Sequence, residues 1–137
     1  MAAYVVDASV AIKWVIQEAG TEAALRLLGH ELIAPDLLVA ECANILWRKQ
    51  RLGEISAREA GLAARLLERA ELDLVPMRRL LDRATALAIA LDHPGYDAIY
   101  LALAETTGRA FVTADLRLAR TAAGGAATVL TLAEWNA

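Results

Sequence analysis

The sequence predicts an α/β fold in which a central parallel sheet of about five short strands is flanked by α-helices. Two observations carry this prediction. Short runs of β-branched and aromatic residues alternate along the chain with longer runs rich in alanine and leucine, which favour helices. No repeat, low-complexity segment or linker interrupts this alternation, so residues 1–137 are expected to form a single domain. Strands that alternate with helices usually build a parallel sheet covered on both faces.

Apolar periodicity and capping signals set the expected bounds of each element in turn. Ser56 and Glu59 have the spacing of a capping box, and Gly108 is placed to end a helix. Thr21 and Asp36 are expected to cap the second and third helices. The predicted strands are residues 4–6, 32–34, 72–75, 110–113 and 128–132. The predicted helices are about residues 9–16, 21–29, 36–51, 56–70, 79–91, 97–107 and 116–121.

Composition excludes several classes of protein. Hydrophobic residues make up 58% of the chain and charged residues 23%, which argues against disorder. The apolar runs are too short to cross a bilayer, and the N-terminus lacks a signal-peptide pattern, so a cytoplasmic protein is expected. The single cysteine, Cys42, excludes an internal disulfide and a cysteine-based zinc cluster.

The charge of the chain argues against a protein that coats nucleic acid by bulk electrostatics. The net charge is −3 and the pI is about 5.4. A local basic rim around a site is still compatible with these values, although a solvated helix surface is the simpler interpretation of each basic residue. The candidates for such a rim are Lys13, Arg48, Lys49, Arg51, Arg117 and Arg120.

Four carboxylates lie beside apolar segments, where an unpaired acid is costly. Asp7 and Asp115 follow the first and fourth predicted strands, and ligands gather at the carboxyl ends of parallel strands. Glu41 lies within the long third helix, and Asp97 opens a later one. If the four converge, their mutual repulsion raises their pKa values unless a cation neutralises them. Oxygen ligands without imidazole or thiolate suit Mg²⁺ or Mn²⁺, and this indicates phosphate chemistry.

Each of these acids also has a simpler explanation when taken alone. Asp7, Asp97 and Asp115 each stand where a residue can cap the following helix. Glu41 is harder to dismiss, because it lies inside a helix among largely apolar neighbours.

Three polar residues are placed to support the acids. Asn44 lies three residues after Glu41 and shares its helix face, so it could hold that carboxylate or contact a substrate phosphate. Ser9 and Thr113 each lie two residues from an aspartate and could donate a hydrogen bond to a carboxylate or to a metal-bound water.

Four segments together carry a family resemblance. They are Val6-Asp7-Ala8-Ser9, the run from Pro35 to Asn44, the run from Tyr96 to Ala104, and Val112-Thr113-Ala114-Asp115. Each segment alone is weak evidence, but all four in this order are specific. They resemble the PIN-domain ribonucleases, particularly the VapC toxins of bacterial toxin–antitoxin (VapBC) pairs, over residues 5 to about 132. The resemblance implies a three-layer PIN-like fold and an endoribonuclease that depends on Mg²⁺ or Mn²⁺.

The resemblance also assigns roles to residues of this chain. It implies that the catalytic and metal-binding acids are Asp7, Glu41, Asp97 and Asp115, and that the supporting polar residues are Ser9, Asn44 and Thr113. Every acidic position of the family pattern is filled. The clearest departure is the apolar Leu116 after Asp115, which affects the rim of the site rather than its chemistry.

Partners are implied as well. The helix predicted over residues 57–70 carries more apolar surface than one buried stripe needs, although Ala63, Leu67 and Ala70 are expected to pack into the core. By resemblance, an exposed remainder indicates a homodimer and a small VapB-like antitoxin. The amphipathic segment of that antitoxin would lie in an apolar groove and obstruct the acidic site, where one of its arginines could pair with the carboxylates.

Two other functions remain as alternatives. A phosphoacceptor or phosphatase domain also places acids at strand ends. The phosphatase pattern needs two aspartates one residue apart, however, and this chain has Asp7-Ala8-Ser9. The second alternative is a nuclease-like fold that is kept as a binding or regulatory module. The complete set of acids argues against this alternative.

Overall fold

Five parallel strands and eight helices form the structure, a computed structural model that describes residues 2–137. The strands are β1 Ala3–Val6, β2 Glu31–Pro35, β3 Asp73–Val75, β4 Ala110–Thr113 and β5 Val129–Thr131. The helices are α1 Ala8–Ala11, α2 Thr21–Leu27, α3 Leu37–Arg51, α4 Ala57–Glu68, α5 Leu81–Leu91, α6 Gly95–Thr107, α7 Leu116–Ala122 and α8 Leu132–Asn136. Between residues 2 and 137, no helix combines the length and the apolar character needed to span a bilayer.

The strands form one sheet in the order β3-β2-β1-β4-β5, with every neighbouring pair parallel. β1 is the central strand, where Val5 pairs with Ile33 of β2 and with Phe111 of β4. Successive side chains of a strand point to opposite faces, and both faces are covered. Val5 belongs to the larger core with Phe111, whereas Val6 packs in a second core with Leu27. The predicted fold class is therefore confirmed.

The centre of the sheet matters for function because β1 and β4 are neighbours. Their last residues, Val6 and Thr113, are followed directly by loops at the same edge of the sheet. The residues after both strands therefore lie side by side, as the strand pattern predicted.

Helix starts were predicted less accurately than strands. The capping box of Ser56 and Glu59 is present at the start of α4. Thr21, in contrast, is not a cap: Gly20 occupies that position with φ of 89°, and Thr21 accepts a hydrogen bond from the Glu18 amide in the preceding loop. Asp36 stands at the cap position of α3 but makes no capping hydrogen bond with its side chain.

Apart from the first helix, every predicted element matches its observed bounds to within two residues. The helix predicted over residues 9–16 is the short α1, followed by a turn of 3-10 helix over Ile12–Trp14. The fifth strand was expected to reach residue 132, but it ends at Thr131, where α8 begins. Thr131 and Glu134 form a second capping box there. That Thr-x-x-Glu pattern was the available signal for α8, which the sequence analysis missed.

Candidate active site

An open cleft of about 410 Å³ lies at the carboxyl ends of β1 and β4, against α3 and α6. All four predicted acids line it, namely Asp7, Glu41, Asp97 and Asp115. Ser9 and Asn44 line it too, while Thr113 is fully buried. Four separate elements or loops thus contribute acidic residues to the lining of one cavity.

Asp7 is the most buried of the four acids, with 7% of its surface exposed. Its carboxylate accepts hydrogen bonds from Ser9 Oγ at 2.5 Å, from Thr113 Oγ1 at 2.5 Å and from the Val10 amide at 3.3 Å. Burial raises the pKa of Asp7 from 3.8 to about 6. The hydrogen bonds oppose this rise, and the nearby charge of Glu41 adds to it. The folded protein therefore carries an acid whose charged form is poorly solvated.

The two hydroxyl groups also join the loops that follow β1 and β4. Ser9 Oγ accepts a hydrogen bond from the Ala114 amide at 3.0 Å, and Thr113 Oγ1 accepts one from the Asp115 amide at 3.0 Å. Each hydroxyl donates its own proton to Asp7. Donation to a carboxylate was one of the two roles predicted for these hydroxyls, and both donate to the same carboxylate. The position of Asp7 is fixed by this network.

A hydrogen bond from a residue of α6 holds Glu41 in place. Tyr100, which is 1% exposed, donates its hydroxyl to Glu41 Oε1 at 2.5 Å, and its ring stacks on Phe111 with centroids 5.6 Å apart. Burial raises the pKa of Glu41, and the charge of Asp97 contributes to the rise. Asn44 lines the cleft, but among residues 2–137 it makes no hydrogen bond to Glu41. No role was predicted for Tyr100 from the sequence, although it lies one helical turn after Asp97.

A contact from the loop before α6 holds Asp97 in place. His93 Nε2 lies 2.7 Å from Asp97 Oδ2, and only 11% of the histidine side chain is exposed. This contact binds one carboxylate oxygen and leaves the other without a protein partner in the described chain. His93 was not predicted as a site residue. Helical spacing gave no signal for this role, because His93 lies in the loop before Pro94, which stands at the cap position of α6.

The simpler explanations of the acids hold for two of the three aspartates. Asp7 caps α1, and Asp115 caps α7 by accepting hydrogen bonds from the amides of Arg117 and Leu118 at 3.0 and 3.1 Å. Asp97 is the third residue of α6 and makes no capping bond with its side chain, so its interpretation as a cap is wrong. Capping and lining the cleft are compatible, because a cap uses only part of a carboxylate.

The donor set decides what kind of metal ion the cleft suits. Burial raises the pKa of Cys42 to about 12, so this neighbour of Glu41 offers no thiolate. The remaining donors are carboxylates and hydroxyls, which suit a hard divalent cation. The described part of the chain contains no group of three His, Cys, Asp or Glu side chains close enough together to hold a metal ion. The cleft therefore suits a hard divalent cation by the chemistry of its donor atoms.

Comparison with known proteins identifies the family. The model of the PIN domain matches residues 4–124. The chain belongs to the PIN-domain family. Its curated relatives include ribonuclease VapC9 of Mycobacterium tuberculosis, 32% identical over 117 residues, or 85% of this chain and 89% of that one. Ribonuclease VapC3 of Pyrobaculum aerophilum is 35% identical over 122 residues, 84% of this PIN domain and 91% of the relative.

Solved structures agree on the fold of this PIN domain. A Pyrobaculum aerophilum protein superposes with a TM-score of 0.73 and 24% identity, covering 98% of this chain and 94% of that one. The Mycobacterium tuberculosis toxin VapC20, described as cleaving the sarcin–ricin loop, superposes with a TM-score of 0.65 at 18% identity, covering 89% and 95%. The predicted resemblance to VapC ribonucleases is thereby confirmed, and nothing here favours a phosphoacceptor domain.

Proposed function

We propose that this PIN domain is an endoribonuclease, that it cleaves RNA in the four-carboxylate cleft with Mg²⁺ or Mn²⁺, and that it is the toxin of a toxin–antitoxin pair. The observation that carries the proposal is the meeting of four carboxylates from separate elements in one cleft. Membership of a family whose curated relatives are named VapC ribonucleases supports the reaction and the substrate class. We also propose that residues 1–137 form one nuclease domain, and that it acts on RNA in the cytoplasm.

The residues of the cleft divide into those that would hold a cation and those that orient them. The first group is Asp7, Glu41, Asp97 and Asp115. A bound divalent cation would supply Lewis-acid chemistry, neutralising phosphate charge and lowering the pKa of water. Ser9 and Thr113 orient Asp7. Tyr100 and His93 do the same for Glu41 and Asp97, and Asn44 is placed to contact the substrate.

Cleavage of total RNA by the purified, antitoxin-free protein tests this proposal. With Mn²⁺ or Mg²⁺, we expect discrete new 5′ ends that sequencing can map, and EDTA should abolish them. Asp97→Asn keeps the size of the side chain and removes its charge, so activity should fall about 100-fold or more, as transition-state charge stabilisation is lost. Asp82→Asn is the matched control, because Asp82 lies in the first turn of α5 and is exposed outside the cleft.

The results separate the proposal from its alternative. Cleavage that survives EDTA, or that is equal in Asp97→Asn and the wild type, contradicts the proposed site. No cleavage of any RNA with either cation favours the silent binding module instead.

We further propose a homodimer and a small VapB-like antitoxin as partners. Leu62 and Leu66 of α4 are 53% and 49% exposed, whereas Ala63 is buried and Leu67 packs against the core. A neighbouring groove of about 330 Å³ between α3 and α4 is lined mainly by apolar side chains, including Val39. Exposed apolar surface of this kind is typical of protein interfaces, and a groove suits an amphipathic segment.

Light scattering and co-purification test the partners. We expect a dimer for the isolated chain, and Leu66→Glu should weaken it. Leu25→Glu, at a similarly exposed leucine of α2, should not. The product of an adjacent small gene should co-purify with the chain and suppress cleavage. A strict monomer at high concentration, with activity unaffected by that product, would contradict the proposal.

A further inference from the structure

Tyr96 presents an exposed ring on the wall of the cleft, directly before Asp97 in sequence. It is 67% exposed and lines the same cavity as the carboxylates. The other two tyrosines are packed: Tyr4 lies edge-on against His30, and Tyr100 stacks on a phenylalanine. Within residues 2–137, Tyr96 has no aromatic partner and its hydroxyl makes no hydrogen bond. Its ring is thus available to a ligand in the cleft.

Arg48 is the one basic side chain that lines this cleft in the described chain, and it has no ion pair there. The next basic residue, Lys49, is bonded to Glu18 at 2.9 Å, and Arg51 lies over the ring of Trp47. Arg48 follows Glu41 by seven residues, or roughly 10 Å along the helix axis. It makes no ion pair with that carboxylate in the described chain, and it lies within the reach of a strand that crosses the cleft.

We propose that Tyr96 stacks on an unpaired base beside the phosphodiester that is cleaved, and that Arg48 pairs with a neighbouring phosphate. This inference rests on the proposed function and assigns the residues that position the substrate. Every base has a face on which an aromatic ring can stack, but the base must first leave its own stack. Arg48 offsets the repulsion between the four acids and a polyanion. Together the two contacts lay an unpaired strand across the carboxylates and disfavour a duplex.

Binding of RNA without cleavage tests the two contacts. The parent protein carries Asp97→Asn and is kept in EDTA, and the probe is a fluorescent single-stranded RNA of random sequence about 12 nucleotides long. Fluorescence anisotropy gives Kd for the parent and for versions that add a second substitution. Adding Tyr96→Ala should raise Kd about tenfold, whereas Tyr96→Phe should stay within about twofold because the ring remains. Leu81→Ala is the matched control, since Leu81 is 66% exposed at the start of α5 and lies outside the cleft lining.

Salt dependence distinguishes the two roles. Neutralising one phosphate of a single strand contributes about 0.7 to the slope of log Kd against log salt. Adding Arg48→Ala should lower that slope by about this amount, while Tyr96→Ala should leave the slope unchanged. With a duplex of the same length, Tyr96→Ala should have no effect on Kd.

Three outcomes would overturn the inference. One is an equal loss of affinity with Tyr96→Ala and Leu81→Ala. Another is an equal effect of Tyr96→Ala on single strands and duplexes. The third is a change in oligomeric state in the Tyr96→Ala variant with unchanged RNA binding, which would assign the ring to a protein interface. In each case cleavage by the wild-type protein would still stand as an independent test of the nuclease proposal.

Discussion

Burial of the Asp7 carboxylate at the centre of the site lowers the free energy of unfolding of the metal-free protein. Three hydrogen bonds hold it in place, yet its pKa still lies near 6 because burial outweighs them. Above that pH the folded, metal-free protein has to keep a poorly solvated negative charge close to Glu41. Polar networks of this kind are retained for function at the expense of stability. The cost is measurable.

The stability of the metal-free protein should fall as pH rises from about 4 to about 6. The folded pKa of Asp7 exceeds its unfolded value of about 3.8, so folding favours the protonated form. The contribution of Asp7 to the free energy of unfolding is therefore fully present at low pH. It is lost as the pH rises through the folded pKa, by up to about 3 kcal/mol. Asp7→Asn should reduce the dependence, since the pKa of Glu41 is raised too, and should be more stable than the wild type above pH 6. Urea denaturation in EDTA at pH 4.5 and 7.5 measures the effect, with the exposed Asp82→Asn as control. An Asp7→Asn difference that is equal at both pH values would contradict the assignment.

At the scale of elements, the sequence predicted what local patterns determine and missed what packing determines. The strands were found because their β-branched runs are bounded by glycine, proline and charged residues. The acids were found because a carboxylate beside an apolar run is unusual. Tyr100 and His93 could not be assigned from pattern alone. Their roles depend on α6 lying against α3 and on the loop before α6 folding back, and sequence periodicity does not encode either contact.

The hydrogen bond between Tyr100 on α6 and Glu41 on α3 joins two elements and can be removed cleanly. Tyr100→Phe keeps the ring that stacks on Phe111 and removes only the hydroxyl. We expect a modest loss of stability, about 1–2 kcal/mol, because one partner of a charged hydrogen bond is removed. The concentration of Mn²⁺ that gives half-maximal cleavage should rise about tenfold as Glu41 loses its orientation. Tyr4→Phe is the control, since Tyr4 packs against His30 away from the cleft. A fall in stability without any change in Mn²⁺ requirement would make Tyr100 a purely structural residue.

For the whole molecule, the charge distribution explains how an acidic protein can act on a polyanion. The net charge of −3 and the four acids of the cleft both repel RNA. A divalent cation would neutralise part of the charge of the carboxylates, and Arg48 would add a positive charge beside them on α3. Folding and cation binding are then coupled. Folding creates the repulsion by holding together acids that are separated in the unfolded chain, and a bound cation relieves it.

This coupling predicts that Mn²⁺ stabilises the folded protein. At a concentration one hundred times its Kd, a ligand that binds only the folded state contributes about 2.7 kcal/mol, which is on the order of 10 °C in Tm for a chain of this size. Thermal unfolding with and without Mn²⁺ at pH 7.5 should show this shift in the wild type and in Asp82→Asn. The shift should be largely lost in Asp97→Asn and Asp115→Asn. It should also shrink at pH 5, because protons compete for Asp7, whose pKa is about 6. An undiminished shift in both cleft variants would place the cation elsewhere on the protein.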